Sequence, residues 1–412
     1  MPRKRIVVTG VGILAPNGTG KVEYWDALQA GKSGIKEVSL FDVSELNVKV
    51  AGEIKDFDPV KFLGPKGLRS LDRSTLLLCS AAKLAKDDAQ LTITEENTVD
   101  IGVSVGTTLG SVYSISEFDK QALREGPRSV NPALFPNTVI NAPASQVCIW
   151  HNIKGFSTTI STGFSASLDA IAYAVDFLKW ERAKIVFAGG IEPLCIQTFL
   201  GFYKLKFMSG VNGDHPALSC PFDKRRDGII FGETAAFLVL EDLQSAQERG
   251  ATILAEVLSY GQVCDPFKLN KYNPRAGGLI AAMQTALAEA ELEPPDIHYI
   301  CANANSTQAA DAAETLAIHE VFGRWADKVP VSSIKSMIGD GYSVSGIAQA
   351  VAAVGAIDRN FIPPTINYAE KDERCDLDYV PNQSRQAEID NVMINSFGPG
   401  GNNTTVIIGR FL

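Results

Sequence analysis

One local pattern occurs twice in this chain and restricts the folds open to it. A β-branched run, Phe156-Ser157-Thr158-Thr159-Ile160, passes through the small residues Ser161-Thr162-Gly163 into a segment with apolar positions Leu168, Ile171, Val175 and Leu178. That change from strand-like to helical periodicity predicts strand, tight turn, amphipathic helix. Between Val329 and Ile357 the pattern returns: Val331-Ser332-Ser333-Ile334, a Gly/Ser-rich turn, then an Ala/Val-rich helix from Ile347. Each copy is followed by an apolar strand that ends in glycines, Ile185 to Gly190 in the first and Val392 to Asn395 with its glycine turn in the second. Strands alternating with helices predict α/β architecture, and the echo predicts two similar βαβαβ-type halves. The join is placed between residues 248 and 249, where the strand Ala236 to Glu241 gives way to a polar helix and Arg249-Gly250, dividing the chain into halves 1–248 and 249–412.

The first turn is the more informative of the two. A strand that bends sharply into a helix holds one side chain over the helix N-terminus, which is the setting of a nucleophile elbow. The residue at this apex is Phe164, and a hydrocarbon ring cannot attack anything. Ser161, Ser165 and Ser167 are nearby, but a serine nucleophile requires an adjacent base. Their expected work is to satisfy backbone groups of the turn and helix start.

Charge and cysteine usage exclude several classes. A formal charge of -9 argues against nucleic acid as the main partner, because phosphate neutralisation needs a basic face. No apolar run approaches the ~18 residues of a membrane span, so no membrane partner is expected. The basic start Met1-Pro2-Arg3-Lys4-Arg5 leads only into the short run Ile6-Val7-Val8, which is not a secretory signal; cytoplasm is the expected compartment. The seven cysteines are scattered with no Cys-x-x-Cys pair and are expected as free, mostly buried thiols rather than disulfides or zinc ligands. The four histidines occupy no motif, and no metal site is expected.

Five segments in order carry a family resemblance: Val7 to Gly12, Ser161 to Ser167, Asp223-Lys224-Arg225-Arg226-Asp227-Gly228, Lys335-Ser336-Met337, and Asn395 to Asn403. Together the text resembles the elongating β-ketoacyl-[acyl carrier protein] synthases. The resemblance implies their thiolase-like fold, two duplicated halves forming a five-layered αβαβα core. It also implies what has changed. Phe164 stands where that family carries its catalytic cysteine, Asn303 where it carries the first histidine and Asp340 where it carries the second. The supporting positions Asp311, Glu314, Lys335 and Phe397 keep the family's residue types, and Lys335 is expected to form a buried ion pair with Glu314. Asn305 and Thr307 match positions that contact phosphopantetheine, the carrier protein's arm and the only cofactor-like group expected. Pro399 matches a gating aromatic, although a proline has no ring to swing. Leu109 and Ala133 match positions at the end of the acyl tunnel.

Ketosynthases of this type are dimers, and in type II polyketide systems an active subunit pairs with a cysteine-less paralogue, the chain-length factor. The resemblance therefore implies a non-catalytic subunit that forms a heterodimer with an active ketosynthase and shapes its tunnel. Lys66, Arg69 and Lys206, with Lys61, Arg73 and Lys204, stand in segments that meet the acidic acyl carrier protein, a solvated basic face being the alternative. Two further readings remain open. One is residual acyl transfer or malonyl decarboxylation through Asn303, Asp340 and Lys335; the other is a homodimeric pseudoenzyme that binds the carrier protein.

Overall fold

In the computed structural model, which describes residues 4–412, the duplication becomes a sheet topology. Strands β1 (Ile6–Ala15), β2 (Ile101–Gly106), β3 (Ser157–Ile160), β4 (Ile185–Glu192) and β5 (Thr234–Asp242) belong to the first half. Strands β6 (Ala255–Cys264), β7 (Tyr299–Cys301), β8 (Val331–Ser332), β9 (Asn391–Phe397) and β10 (Asn402–Gly409) belong to the second. The strand order is β3-β2-β4-β5-β1 followed by β6-β10-β9-β7-β8, so the second half repeats the first in mirror order about the β1–β6 junction. Pairing sense repeats as well. β1–β5 and β5–β4 are antiparallel, as are β6–β10 and β10–β9, whereas the outer pairs β4–β2, β2–β3, β9–β7 and β7–β8 are parallel. The halves meet through three register pairs, Ile6 with Val257, Val7 with Glu256 and Val8 with Ala255.

Every residue of β1, β2 and β4 is buried, as near-continuous apolar strands are when helices cover both faces of a sheet. Helices α1 (Arg73–Asp88) and α2 (Ala142–His151) cover the outer face of the first half. Helices α4 (Gly277–Ala290) and α5 (Gln308–Phe322) cover that of the second. Between the halves lie α3 (Ala166–Lys179) and α6 (Ser345–Arg359), which pack on each other and on strands of both halves. One apolar core lies centrally around α3 and α6 and one under each outer pair, and a smaller cluster gathers around Phe199, Met208 and Phe231. This is the expected five-layered arrangement. The apolar positions Leu168, Ile171, Val175 and Leu178 all face the central core.

The glycines of the first motif have a packing reason. A Cβ on Gly12 would lie 2.1 Å from the Ala81 carbonyl oxygen of α1, so this strand and helix approach backbone to backbone. The Asp223–Gly228 motif is a staple rather than a surface loop. Arg226 is fully buried, donates to Asp372 at 2.7 Å and lies 3.6 Å from Asp311; Asp223 accepts from the amides of Ala369 and Glu370.

Candidate functional site

The two echoed turns face each other across the central helices. Gly163 has φ +76 and leads a 3-10 turn, Gly163–Ser165, that opens α3; Tyr342 has φ +55 and leads the turn Tyr342–Val344 that opens α6. Each turn carries an aromatic ring. The Phe164 and Tyr342 ring centroids are 4.4 Å apart at 74°, an edge-to-face pair. Phe164 is 6 % exposed. Its carbonyl accepts from Ser396 at 2.9 Å, and Asn402 donates to the Thr162 carbonyl at 2.9 Å, so the second half's hairpin holds the first half's turn.

That hairpin contains the glycine-rich loop between β9 and β10. A Cβ on Gly398 would lie 2.3 Å from Cδ2 of Phe164, so the loop's lack of a side chain is what admits the ring. Ser165 donates to Asp169 at 3.0 Å, and Thr162, Gln262 and Thr404 donate to the same carboxylate. Ser165 thus shares this carboxylate with three other donors.

Phe164 and Tyr342 line one cavity of about 520 Å³, together with Leu109, Val112, Phe202, Phe207, Pro399 and others. No cysteine or histidine lines it. The lining hydroxyls of Thr162 and Thr198 donate to Asp169 and to the Cys195 carbonyl. Leu109 and Pro399, expected near a tunnel, are both on the cavity wall. Ala133 is not; it lies on the exposed 3-10 segment Pro132–Thr138.

Behind the two rings lies a second, closed cluster. Asn303 is 0 % and Asp340 1 % exposed, and neither lines the cavity. The Asn303 side-chain amide donates to the Phe397 carbonyl at 3.1 Å, and its oxygen accepts from Lys335 Nζ at 3.0 Å. Asp340 accepts from Asn305 at 3.0 Å, from the Tyr342 amide at 2.9 Å and from Ser345 at 2.9 Å, with Lys335 Nζ at 3.5 Å. The expected Lys335–Glu314 ion pair is not formed. Glu314 instead accepts from the amides of Asn303 and Ala304 and from Asn395, so its lone pairs are filled by neutral donors, and Asp340 supplies the countercharge to Lys335. Burial pushes the Glu314 carboxyl up to about 7 and that of Asp311 to about 6. Asp311 accepts from the amides of Phe222 and Asn305.

Asn305 and Thr307 are not brought to the cavity either. Thr307 donates to Asn305 at 2.8 Å and caps α5. Of the basic residues, Lys66, Arg69, Lys204 and Lys206 are exposed, and the last two flank Leu205 at the cavity wall. Arg73 drops out of that group, because its guanidinium pairs with the fully buried Glu233 at 2.5 Å and donates to the Ile54 carbonyl. Two residues of the site went unseen in the sequence, Tyr342 and Glu192. Tyr342 follows Asp340 by two positions in the echoed turn, and Glu192 ends an otherwise apolar strand; a buried acid there has to find donors.

This arrangement matches known proteins over the whole chain. Residues 3–246 match the β-ketoacyl synthase N-terminal domain and residues 254–369 the C-terminal domain. The chain belongs to the β-ketoacyl synthase family. Among its relatives, 3-oxoacyl-(acyl-carrier-protein) synthase 2 of Coxiella burnetii is 38% identical over 411 residues, covering 100% of this chain and 99% of that one. The tetracenomycin polyketide synthase ketoacyl synthase alpha subunit of Streptomyces glaucescens is 36% identical, covering 99% of this chain and 97% of that one. The solved ishigamide ketosynthase/chain length factor superposes with a TM-score of 0.93 at 33% identity over 100% of both chains. A ketosynthase solved with its type II polyketide acyl-carrier protein gives 0.91 at 28% identity over 99% of this chain and 100% of that one. Within this ketosynthase fold, no helix of the described residues is long and apolar enough to cross a membrane.

Proposed function

We propose that this β-ketoacyl synthase family member is the non-catalytic partner of an active ketosynthase, a chain-length factor that completes the dimer and shapes the acyl tunnel in type II polyketide or fatty-acid-like synthesis. The observation that carries the reading is Phe164 at the apex of the elbow. Decarboxylative condensation needs a thiolate to hold the acyl chain, and donors for the enolate and the oxyanion. The apex offers no thiol, and no other cysteine lines the cavity. The Asn303 amide is already bonded to Phe397, and Asp340 adds a carboxylate where negative charge would develop. Relatives named as synthases favour catalysis in this chain as well, but the chemistry at its own apex opposes it.

Malonyl decarboxylation through Asn303, Asp340 and Lys335 is disfavoured by the closure of that cluster behind the rings. The match to a ketosynthase/chain length factor supports the heterodimer, and the neighbour solved with its carrier protein supports acyl carrier protein as a partner. In that reading the exposed Lys66, Arg69 and Lys206 meet the acidic carrier, and its phosphopantetheine arm is the only cofactor-like group involved. Co-expression with an active type II ketosynthase tests the reading. A co-eluting heterodimer is expected; a homodimer that ignores the ketosynthase would favour a carrier-protein scaffold instead.

A further inference from the structure

Glu192, at the end of β4, is 0 % exposed and has no cationic partner among the described residues. Its carboxylate accepts from the backbone amides of Thr108 at 3.2 Å and Leu109 at 2.9 Å, and from the hydroxyl of Ser343. Those donors belong to two different walls. Leu109 forms one side of the cavity, and Ser343 follows Tyr342, whose ring forms another and packs on Phe164. The Thr107 amide bonds the Ile160 carbonyl at 3.0 Å, while the Thr107 hydroxyl faces the Glu192 carboxyl. The Thr108 hydroxyl is buried with no hydrogen-bond partner among the described residues, so it adds no second anchor to this wall.

We propose that Glu192 is a positioning residue that clamps the Thr108–Leu109 backbone and the Ser343–Tyr342 turn to each other, fixing the width of the cavity between Leu109 and the aromatic pair. Two oxygens face two backbone amides and the hydroxyls of Ser343 and Thr107, and because a hydroxyl can turn from donor to acceptor the arrangement suits a carboxyl group whether or not it is protonated. A carboxamide of the same shape keeps one acceptor oxygen and turns N–H groups toward N–H groups, which leaves buried donors unpaired. The identity of the clamp does not depend on what the chain does. Its bearing on product length rests on the chain-length reading above.

The test is amide hydrogen exchange on the full chain. In Glu192→Gln the Thr108 and Leu109 amides should exchange about tenfold faster or more, while Val103, whose amide bonds the Phe156 carbonyl farther along β2, keeps its protection and serves as the control against global loosening. Ser343→Ala removes only the hydroxyl arm and should give a smaller rise at Leu109; it carries the test if Glu192→Gln does not fold. Wild-type protection at Leu109 in both variants overturns the clamp, and so does an equal rise at Val103. With an active ketosynthase, Glu192→Gln should also shift the distribution of product lengths. Loss of Leu109 protection with unchanged lengths supports the clamp and counts against the chain-length reading.

Discussion

A phenyl ring at the apex of an elbow has two effects, because it offers no nucleophile and it fills the space over the turn. Phe164 does both, resting against Gly398 on one side and Tyr342 on the other. Restoring the sulfur should therefore not restore the reaction. In Phe164→Cys, Asn303 still bonds Phe397 and Lys335, and Asp340 still holds its carboxylate at the closed cluster. Each missing oxyanion or enolate donor costs about 10²–10³ in rate, so condensation by this variant should stay undetectable when β-ketoacyl product is sought by mass spectrometry after incubation with acyl- and malonyl-loaded carrier protein. Turnover approaching that of an active ketosynthase would show that Asn303 and Asp340 suffice. The turn that carries Phe164 was legible in the sequence, because the small residues Ser161-Thr162-Gly163 mark the change from strand to helix. The partner of Lys335 was not, since the choice between Glu314 and Asp340 depends on which acid the backbone amides of Asn303 and Ala304 occupy.

Among the elements, the exposed segment Pro132–Thr138 is the one whose role depends most on a second subunit. It packs against the helix Val112–Glu125, with Phe118 and Phe135 rings 5.8 Å apart, and that helix buries none of its residues. Ala133 is exposed here, so a larger side chain meets no core. Under the proposed function, this segment closes the far end of the partner's tunnel. Ala133→Phe in a reconstituted heterodimer should then shorten the products by one or more extension units without slowing the first condensation, as read by mass spectrometry of released products. Unchanged lengths in a folded, active complex would remove Ala133 from the account. The strand–turn–helix pairs and the β9–β10 hairpin followed from periodicity and glycine placement. That Asn305 and Thr307 turn away from the cavity did not follow, because motif spacing does not reveal that the Thr307 hydroxyl bonds Asn305.

For the whole molecule, buried carboxyls without cationic partners make stability depend on pH. Burial raises the Glu192 and Glu314 carboxyls to about 7, above the ~4.3 of an unfolded chain. The folded state then holds more protons than the unfolded one across that interval, so stability is full below it and lost as pH rises through about 7. His151 works the other way. Burial lowers it to about 4, which adds stability as pH climbs toward ~6.5, above which its contribution is level. The melting temperature should consequently fall between pH 6.5 and 8, and calorimetry showing a flat or rising profile in that window would contradict the assignment. The duplicated halves were readable from the echo, and the layers follow once β1 and β6 join them. The ring-sealed cluster was not readable, because it depends on how the two halves bring their turns together.

The measurement that bears most directly on the central claim is native mass spectrometry of this chain co-expressed with an active type II ketosynthase and then incubated with acyl-loaded carrier protein. The account predicts a one-to-one heterodimer that gains a single acyl group, located on the ketosynthase and never on the Phe164 peptide. An acyl adduct on this chain, or a homodimer carrying one, would contradict it.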